Sequence, residues 1–418
     1  MGMTIAEKIL AKKSDNDRVE PGEVVQAKID RAMANDITAP LTIDALREAG
    51  FDKVWNPEKI TLVIDHQSPP STIEAAEDQK EIREFAEEKE ISNMYGNFEG
   101  VCHQIMVEKA HVLPGELVVG ADSHTCSYGA VGAFSTGIGS TDMAAVFIQG
   151  ELWFKVPESI KITIENELGE EVMPKDLILK IAGDVGTKGA IYKALEFGGD
   201  GIGEISIPGR LSMCNMGVEM GAKTAIVPPD RKTENYFADK TEKRYTPILP
   251  DDNADYEREL SYDAGETEPM VACPHNVDNV KPVRSLEDTE IHQAFLGSCT
   301  NGRLEDLRAA AEIIEGREID DKVRMLVAPA SKEIYRQAMD EGIIKILNNA
   351  GATIEPTGCT TCWGGHLGLL APGETCISSS NRNFKGRMGS PEAEVYLASP
   401  KTVAASALKG RITDPRDL

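Results

Sequence analysis

At 418 residues the chain is long enough for two or three domains with cores of their own, at about 150 residues each. A formal charge of −25 repels nucleic acid and anionic lipid over most of the surface, so an anionic substrate must be met by a local cluster of Arg or Lys. No apolar run approaches the roughly 20 residues of a membrane span, and eight cysteines are too sparse for a disulfide scaffold, which leaves metal binding or burial as their use.

The opening MGMTIAEKILAKKSDND reads as a polar-faced helix, not a signal peptide, and the chain is expected in the cytoplasm. Residues 1–156 form a first α/β unit. Ile60 to Asp65 (ITLVID) is a β-rich run suited to a strand buried on both faces, followed by a charged helix from Ser71 to Lys89. Glu116 to Gly120 is a second such strand, and the Gly-rich stretch Tyr128 to Asp142 leads into a helix over AAVFIQGELWF. Its TGIGSTD segment lacks a P-loop lysine and the third glycine of a dinucleotide fingerprint, and reads as close packing.

A second α/β unit spans 157–285. SIKITIENELGEE alternates as an exposed or edge strand does; a helix over Lys175 to Val185 and a strand over Thr224 to Pro229 follow. Residues 230–288 are charged, rich in Pro and Asp, and weakly periodic, as in a connection crossing the surface. The third unit, 286–418, alternates strand-like and helical runs, which implies parallel sheets covered on both faces.

In parallel sheets ligands bind beyond the carboxyl ends of the strands. Asp65-His66, Asp122-Ser123-His124, Cys299, Cys359 with Cys362, and Asn381-Arg382 all fall just after a strand-like run, which predicts one cleft lined by strand ends of at least two units. Cys-x-x-Cys alone fits half a zinc site, a redox pair or two buried thiols. With Cys299 it becomes three thiols in turns of Gly, Ser and Thr; on a four-iron cluster they would leave one iron open to act as a Lewis acid.

His66 and His124 each lie within two residues of an aspartate, and with His103 they are candidates for acid–base work as well as for structural roles. In NRNFKGRMG, Asn381, Arg382, Lys385 and Arg387 concentrate positive charge suited to carboxylates, or form a basic surface turn. In CNMGVEMGA, Asn215 and Glu219 stand four residues apart on one helical face.

The motifs VIDH, ADSHT, CNMGVEMGA, GSCTNGR, GCTTCWGGH and NRNFKGRMG, in this order between Asp65 and Gly389, resemble those of the aconitase superfamily; in length the chain resembles the large subunit of its two-subunit members. The resemblance implies three α/β/α domains with mostly parallel sheets around a central iron–sulfur cleft, the swivel domain being absent. It implies a hydro-lyase that isomerises a 2-hydroxy di- or tricarboxylic acid by dehydration and rehydration. The two-subunit members act on isopropylmalate, in leucine biosynthesis, or on homocitrate.

By the same resemblance Cys299, Cys359 and Cys362 match the ligands of one [4Fe-4S] cluster per subunit, and His66, supported by Asp65, matches the group that protonates the leaving hydroxyl. His103 with Asp122 and His124 with Glu219 match the pairs that steer water. Ser123, Arg382 and Arg387 match substrate-carboxylate contacts, and Asn215 and Asn381 match polar neighbours of the cluster. Asn35 stands where many two-subunit relatives have His and single-chain aconitases Gln, as a candidate substrate contact. The family takes the carbon proton with a serine beside an arginine on the swivel domain, which implies a small-subunit partner carrying that loop. Competing readings are an iron sensor that binds RNA when its cluster is lost, which the acidic surface opposes, and a structural zinc protein.

Overall fold

The computed structural model describes residues 2–418 as an α/β protein with several mostly parallel sheets. Beside the first sheet, β1 (Val24–Lys28) pairs antiparallel with a later strand. The sheet itself is built from β2 (Arg31–Asn35), β3 (Ile60–Val63), β4 (Asn93–Tyr95), β5 (Leu117–Gly120) and β6 (Phe134–Gly137). All are parallel, in the order β4-β3-β2-β5-β6. The strands β3 and β5 are buried at every residue, as their Val/Ile/Leu content requires. The helix Ile73–Glu88 starts where the Thr72 hydroxyl accepts the Ala75 N–H at 3.1 Å.

The run AAVFIQGELWF is not one helix. The helix Ser140–Gln149 stops at Gly150, whose φ of +71° only glycine adopts freely, and ELWFK becomes β7 (Glu151–Lys155), the partner of β1.

The second sheet holds β8 (Ser159–Glu165), β9 (Ala194–Gly198), β10 (Thr224–Ile226) and β11 (Arg258–Asp263), all parallel in the order β10-β9-β8-β11. Thus β8, expected at an edge or exposed, is an inner strand, and its Ile160, Ile162 and Ile164 enter the core. Residues 230–288, expected as a surface connection, supply β11 and also β12 (Met270–Ala272) and β13 (Val280–Pro282) at one end of the third sheet. The short strand β13 and the half-exposed β11 bury few side chains, so neither leaves a strong hydrophobic pattern.

The third sheet adds β14 (Gln293–Leu296), β15 (Arg324–Val327), β16 (Thr353–Ile354), β17 (Thr375–Ser378) and β18 (Glu394–Leu397). Its order is β13-β12-β18-β17-β14-β15-β16, antiparallel only around β12. One continuous apolar core runs from the helix Cys102–Glu108 through the second and third sheets, and another fills the first sheet beneath the N-terminal helix Ile5–Lys13. Among the described residues no helix is long and apolar enough to cross a membrane.

Candidate active site

The strand ends of the first and third sheets face one another across a cleft. Beyond β2, the carboxylate of Asp36 accepts the backbone N–H groups of Asp65 (3.0 Å), His66 (2.9 Å) and Gln67 (2.8 Å), which fixes the turn leaving β3. Asp65 then works in three directions. One carboxylate oxygen accepts from His66 Nδ1 at 2.7 Å, the other from the Cys102 N–H at 2.6 Å, and its carbonyl accepts the Cys359 N–H at 2.8 Å. Because Asp65 takes the Nδ1 proton, a proton on Nε2 of His66 points into the cleft.

Past β5, Asp122 accepts from His103 Nε2 and from the His124 N–H, both at 2.8 Å, while His103 Nδ1 lies 3.0 Å from the Tyr128 hydroxyl. His124 Nε2 donates to Glu219 at 2.8 Å. The same Glu219 oxygen accepts from Arg382 Nε at 2.8 Å, and Arg382 also donates to the Ser123 hydroxyl at 3.0 Å. Asn35 turns its amide towards Asp122 at 3.4 Å, while its carbonyl oxygen accepts the N–H groups of Ile37 and Thr38.

The three cysteines are buried and free, Cys299 past β14 and the Cys359/Cys362 pair past β16. Asn215 and Asn381 donate to Cys299 Sγ at 3.2 and 3.4 Å, and Arg387 donates to Cys362 Sγ at 3.6 Å. Arg387 Nε, also buried, has no protein partner. The buried Arg303 guanidinium holds the Cys299 turn through the carbonyls of Cys299 (2.7 Å) and Thr300 (2.6 Å).

Every site residue expected from the sequence lines this cleft except Asp65, Ser123, Asn215 and Glu219, which stand one hydrogen bond behind it. Lys385, from the same basic segment as Arg382 and Arg387, is exposed. Sequence reasoning missed Asp36, Tyr128, Trp363 and Arg303. Of these only Asp36 carried a usable signal, its place at a strand end; but RAMAN, with two alanines and a methionine, lacks the β-branched residues that mark a strand.

Burial works against the charged imidazole of His66, but Asp65, then Asp36 and Asp122, outweigh it and raise the ring from 6.5 to about 9. Burial likewise opposes the charge of Asp122 and of Glu219, and is overcome in the first by His103 and His124 and in the second by His124 and Arg382, so both are held below the usual carboxylate range. Cys362 is held well below the usual thiol range, first by a hydrogen bond from Cys359 and, against burial, by Arg387.

Amide and guanidinium donors aimed at the sulfurs of Cys299 and Cys362 suit thiolates, not apolar thiols, and with Cys359 three sulfurs on one cleft fit a metal cluster with a ligand position left over. Cys102, at the start of the helix Cys102–Glu108, also lines the cleft. Parallel sheets converging on such sulfurs, carboxylate–imidazole pairs and arginines have the donor set that a metal-assisted acid–base enzyme requires.

The chain belongs to the aconitase family: residues 7–288 and 279–410 match the Aconitase family (aconitate hydratase). It is 55% identical over 418 residues, the whole of both chains, to a protein named "Probable 3-isopropylmalate dehydratase large subunit" from Methanothermobacter thermautotrophicus. It is 53% identical over 416 residues, 100% of this chain and 99% of the other, to the 3-isopropylmalate dehydratase large subunit 1 of Methanopyrus kandleri. A "Probable methanogen homoaconitase large subunit" from Methanosarcina mazei is 50% identical over 392 residues, 94% of this chain and 100% of the other.

Proposed function

We propose that the chain is the large subunit of a 3-isopropylmalate dehydratase that interconverts 2- and 3-isopropylmalate through the unsaturated acid, with Cys299, Cys359 and Cys362 holding a [4Fe-4S] cluster. In this reading the units carrying the three sheets are aconitase-type α/β/α domains around the cluster. The observation that carries it is the junction at Asp65: one residue orients His66 and, through its carbonyl, the Cys359 turn, so proton donor and cluster cradle are built as one piece.

When bound, the cluster supplies a Lewis acid for the departing hydroxyl. His66, charged below about pH 9, gives its Nε2 proton to that oxygen as it leaves. Arg382 and Arg387 are the cations that meet the substrate carboxylates, with Ser123 steadying Arg382. The Asp122–His103 and Glu219–His124 pairs fix imidazole orientation and steer the water that is lost and regained. The proton on the neighbouring carbon goes to a base brought by a small-subunit partner.

The test is anaerobic loading of the chain with iron and sulfide, addition of a small subunit, and assay of unsaturated-acid formation from isopropylmalate and from homocitrate. Turnover of isopropylmalate by a brown complex is the expected result. Turnover of homocitrate alone would reassign the substrate, and a colourless zinc protein would overturn the cluster.

A further inference from the structure

Lys175 is the second residue of the helix Pro174–Val185 and is fully buried. Both facts oppose a cation there: burial removes its hydration, and the first turn of a helix carries the positive end of the macrodipole. Its neighbour Asp176 does not pair with it, being occupied by the N–H groups of Met173 and Met270, both at 2.9 Å. The ammonium donates instead to the carbonyls of Ser380 (2.6 Å) and Ser379 (3.1 Å), and its remaining neighbour is Met216 Sδ at 3.8 Å, a weak acceptor. No carboxylate offsets the charge by direct contact.

Those two carbonyls belong to the turn that leaves β17 and continues into Asn381 and Arg382. The turn is also tied to the loop of Cys299, because the Ser379 hydroxyl accepts the Gly297 N–H at 2.9 Å and lies 3.2 Å from the Asn301 carbonyl. Lys175 therefore reaches from the second sheet's unit to the turn whose next residue, Asn381, donates to Cys299 Sγ at 3.4 Å. Burial lowers its ammonium to about 8, and the charges that most oppose this are the sulfurs of Cys362 and Cys299, ahead of Asp306 and Asp176.

We propose that Lys175 is a positioning residue of the cluster cradle: its ammonium is the buried counter-charge to the Cys299 and Cys362 sulfurs, and it sets the turn that presents Asn381 and Arg382. This rests on the cluster reading above. A lysine acting only as a strut between two units would hold the carbonyls without affecting the electronic state of anything bound to the sulfurs.

The experiment compares Lys175→Gln, which keeps a neutral N–H donor, and Lys175→Met, which keeps neither donor nor charge, with the unaltered chain, each loaded with iron and sulfide and assembled with the small subunit. Melting curves and iron content establish fold and loading, and a redox titration followed by electron paramagnetic resonance gives the midpoint potential. Removing a positive charge makes reduction harder, so both variants should fold and show a more negative potential, with kcat/KM down roughly 10- to 100-fold as for other groups that support metal ligands. Loss of iron uptake in folded Lys175→Gln, which keeps the donor, shows the charge acting at the loading step, whereas loss in Lys175→Met alone, with the potential of Lys175→Gln unmoved, marks a strut and overturns the proposal. A potential that does not move, a kcat/KM that does not fall, or failure of both variants to fold makes Lys175 a strut and overturns the proposal. Absence of a cluster in the unaltered complex would instead overturn the cluster reading itself.

Discussion

Three carboxylates surround His66: Asp65 at 2.7 Å and Asp36 at 3.8 Å from Nδ1, and Asp122 at 3.9 Å from Nε2. A buried imidazole would ordinarily lose its proton more readily than in water, and here the carboxylates reverse that and raise it to about 9. Because the folded value lies above the ordinary 6.5, the stability His66 contributes is full below about pH 6.5 and lost as pH rises through about 9. Turnover by the assembled enzyme should fall over the same upper limb, which a pH–rate profile measures. His66→Ala should cost roughly 10²- to 10⁴-fold in kcat with iron and sulfide content unchanged; loss of both together would make His66 structural. Asp36→Asn removes one of the three charges and weakens the hold on the 65–67 turn, so it should move the alkaline limb to lower pH and reduce kcat. An unmoved limb would mean that Asp65 and Asp122 suffice.

Elements matter here through their ends. Strands β3 and β5 were legible because continuous Val, Ile and Leu can only be buried, and the strand-end rule then placed Asp65-His66 and Asp122-Ser123-His124 on one cleft. The central strand β2 was not, since small residues meet the packing need there without a β pattern, and Asp36 was missed as a site residue with it. Nor could sequence show that Lys175 meets carbonyls more than two hundred residues away, because a lysine beside an aspartate at a helix start reads as a surface pair. The N-terminal helix has a similar long-range anchor. Glu196 on β9, buried, accepts the Ala6 N–H at 3.0 Å and the Tyr256 hydroxyl at 3.2 Å, and burial raises its carboxyl from 4.5 to about 7. With the folded value raised, this group's contribution is full below about pH 4.5 and declines as pH rises through about 7. Glu196→Gln keeps an acceptor for Ala6 and removes the buried charge, so it should stabilise the chain at pH 8 by on the order of 1–3 kcal/mol and change little at pH 4.5. Thermal melts at the two pH values check this, and destabilisation at pH 8 without any at pH 4.5 would show that the charge itself holds the helix.

The whole molecule sets a strongly acidic exterior, −25 in net charge, against a cleft whose far wall carries Arg382 and Arg387. In the proposed reading anionic substrate is drawn to that wall, which it shares with Cys299, Cys359 and Cys362. The cleft is assembled across sheets: Arg382 from the third reaches Ser123 beyond the first and Glu219 beside the second, while Asp65 from the first reaches Cys359 in the third. In the proposed reading such cross-bracing lets the cluster cradle form without a partner, while the carbon proton goes to a base from the small subunit. The large subunit alone should therefore take up iron and sulfide and yet turn over isopropylmalate slowly or not at all, with activity appearing as small subunit is added up to a fixed ratio. Cys299→Ala should abolish both cluster retention and that recovered activity, because two thiolates cannot hold four irons. Full turnover by the large subunit alone would place the carbon base within this chain, and the cleft residues would then have to be reassigned to supply it.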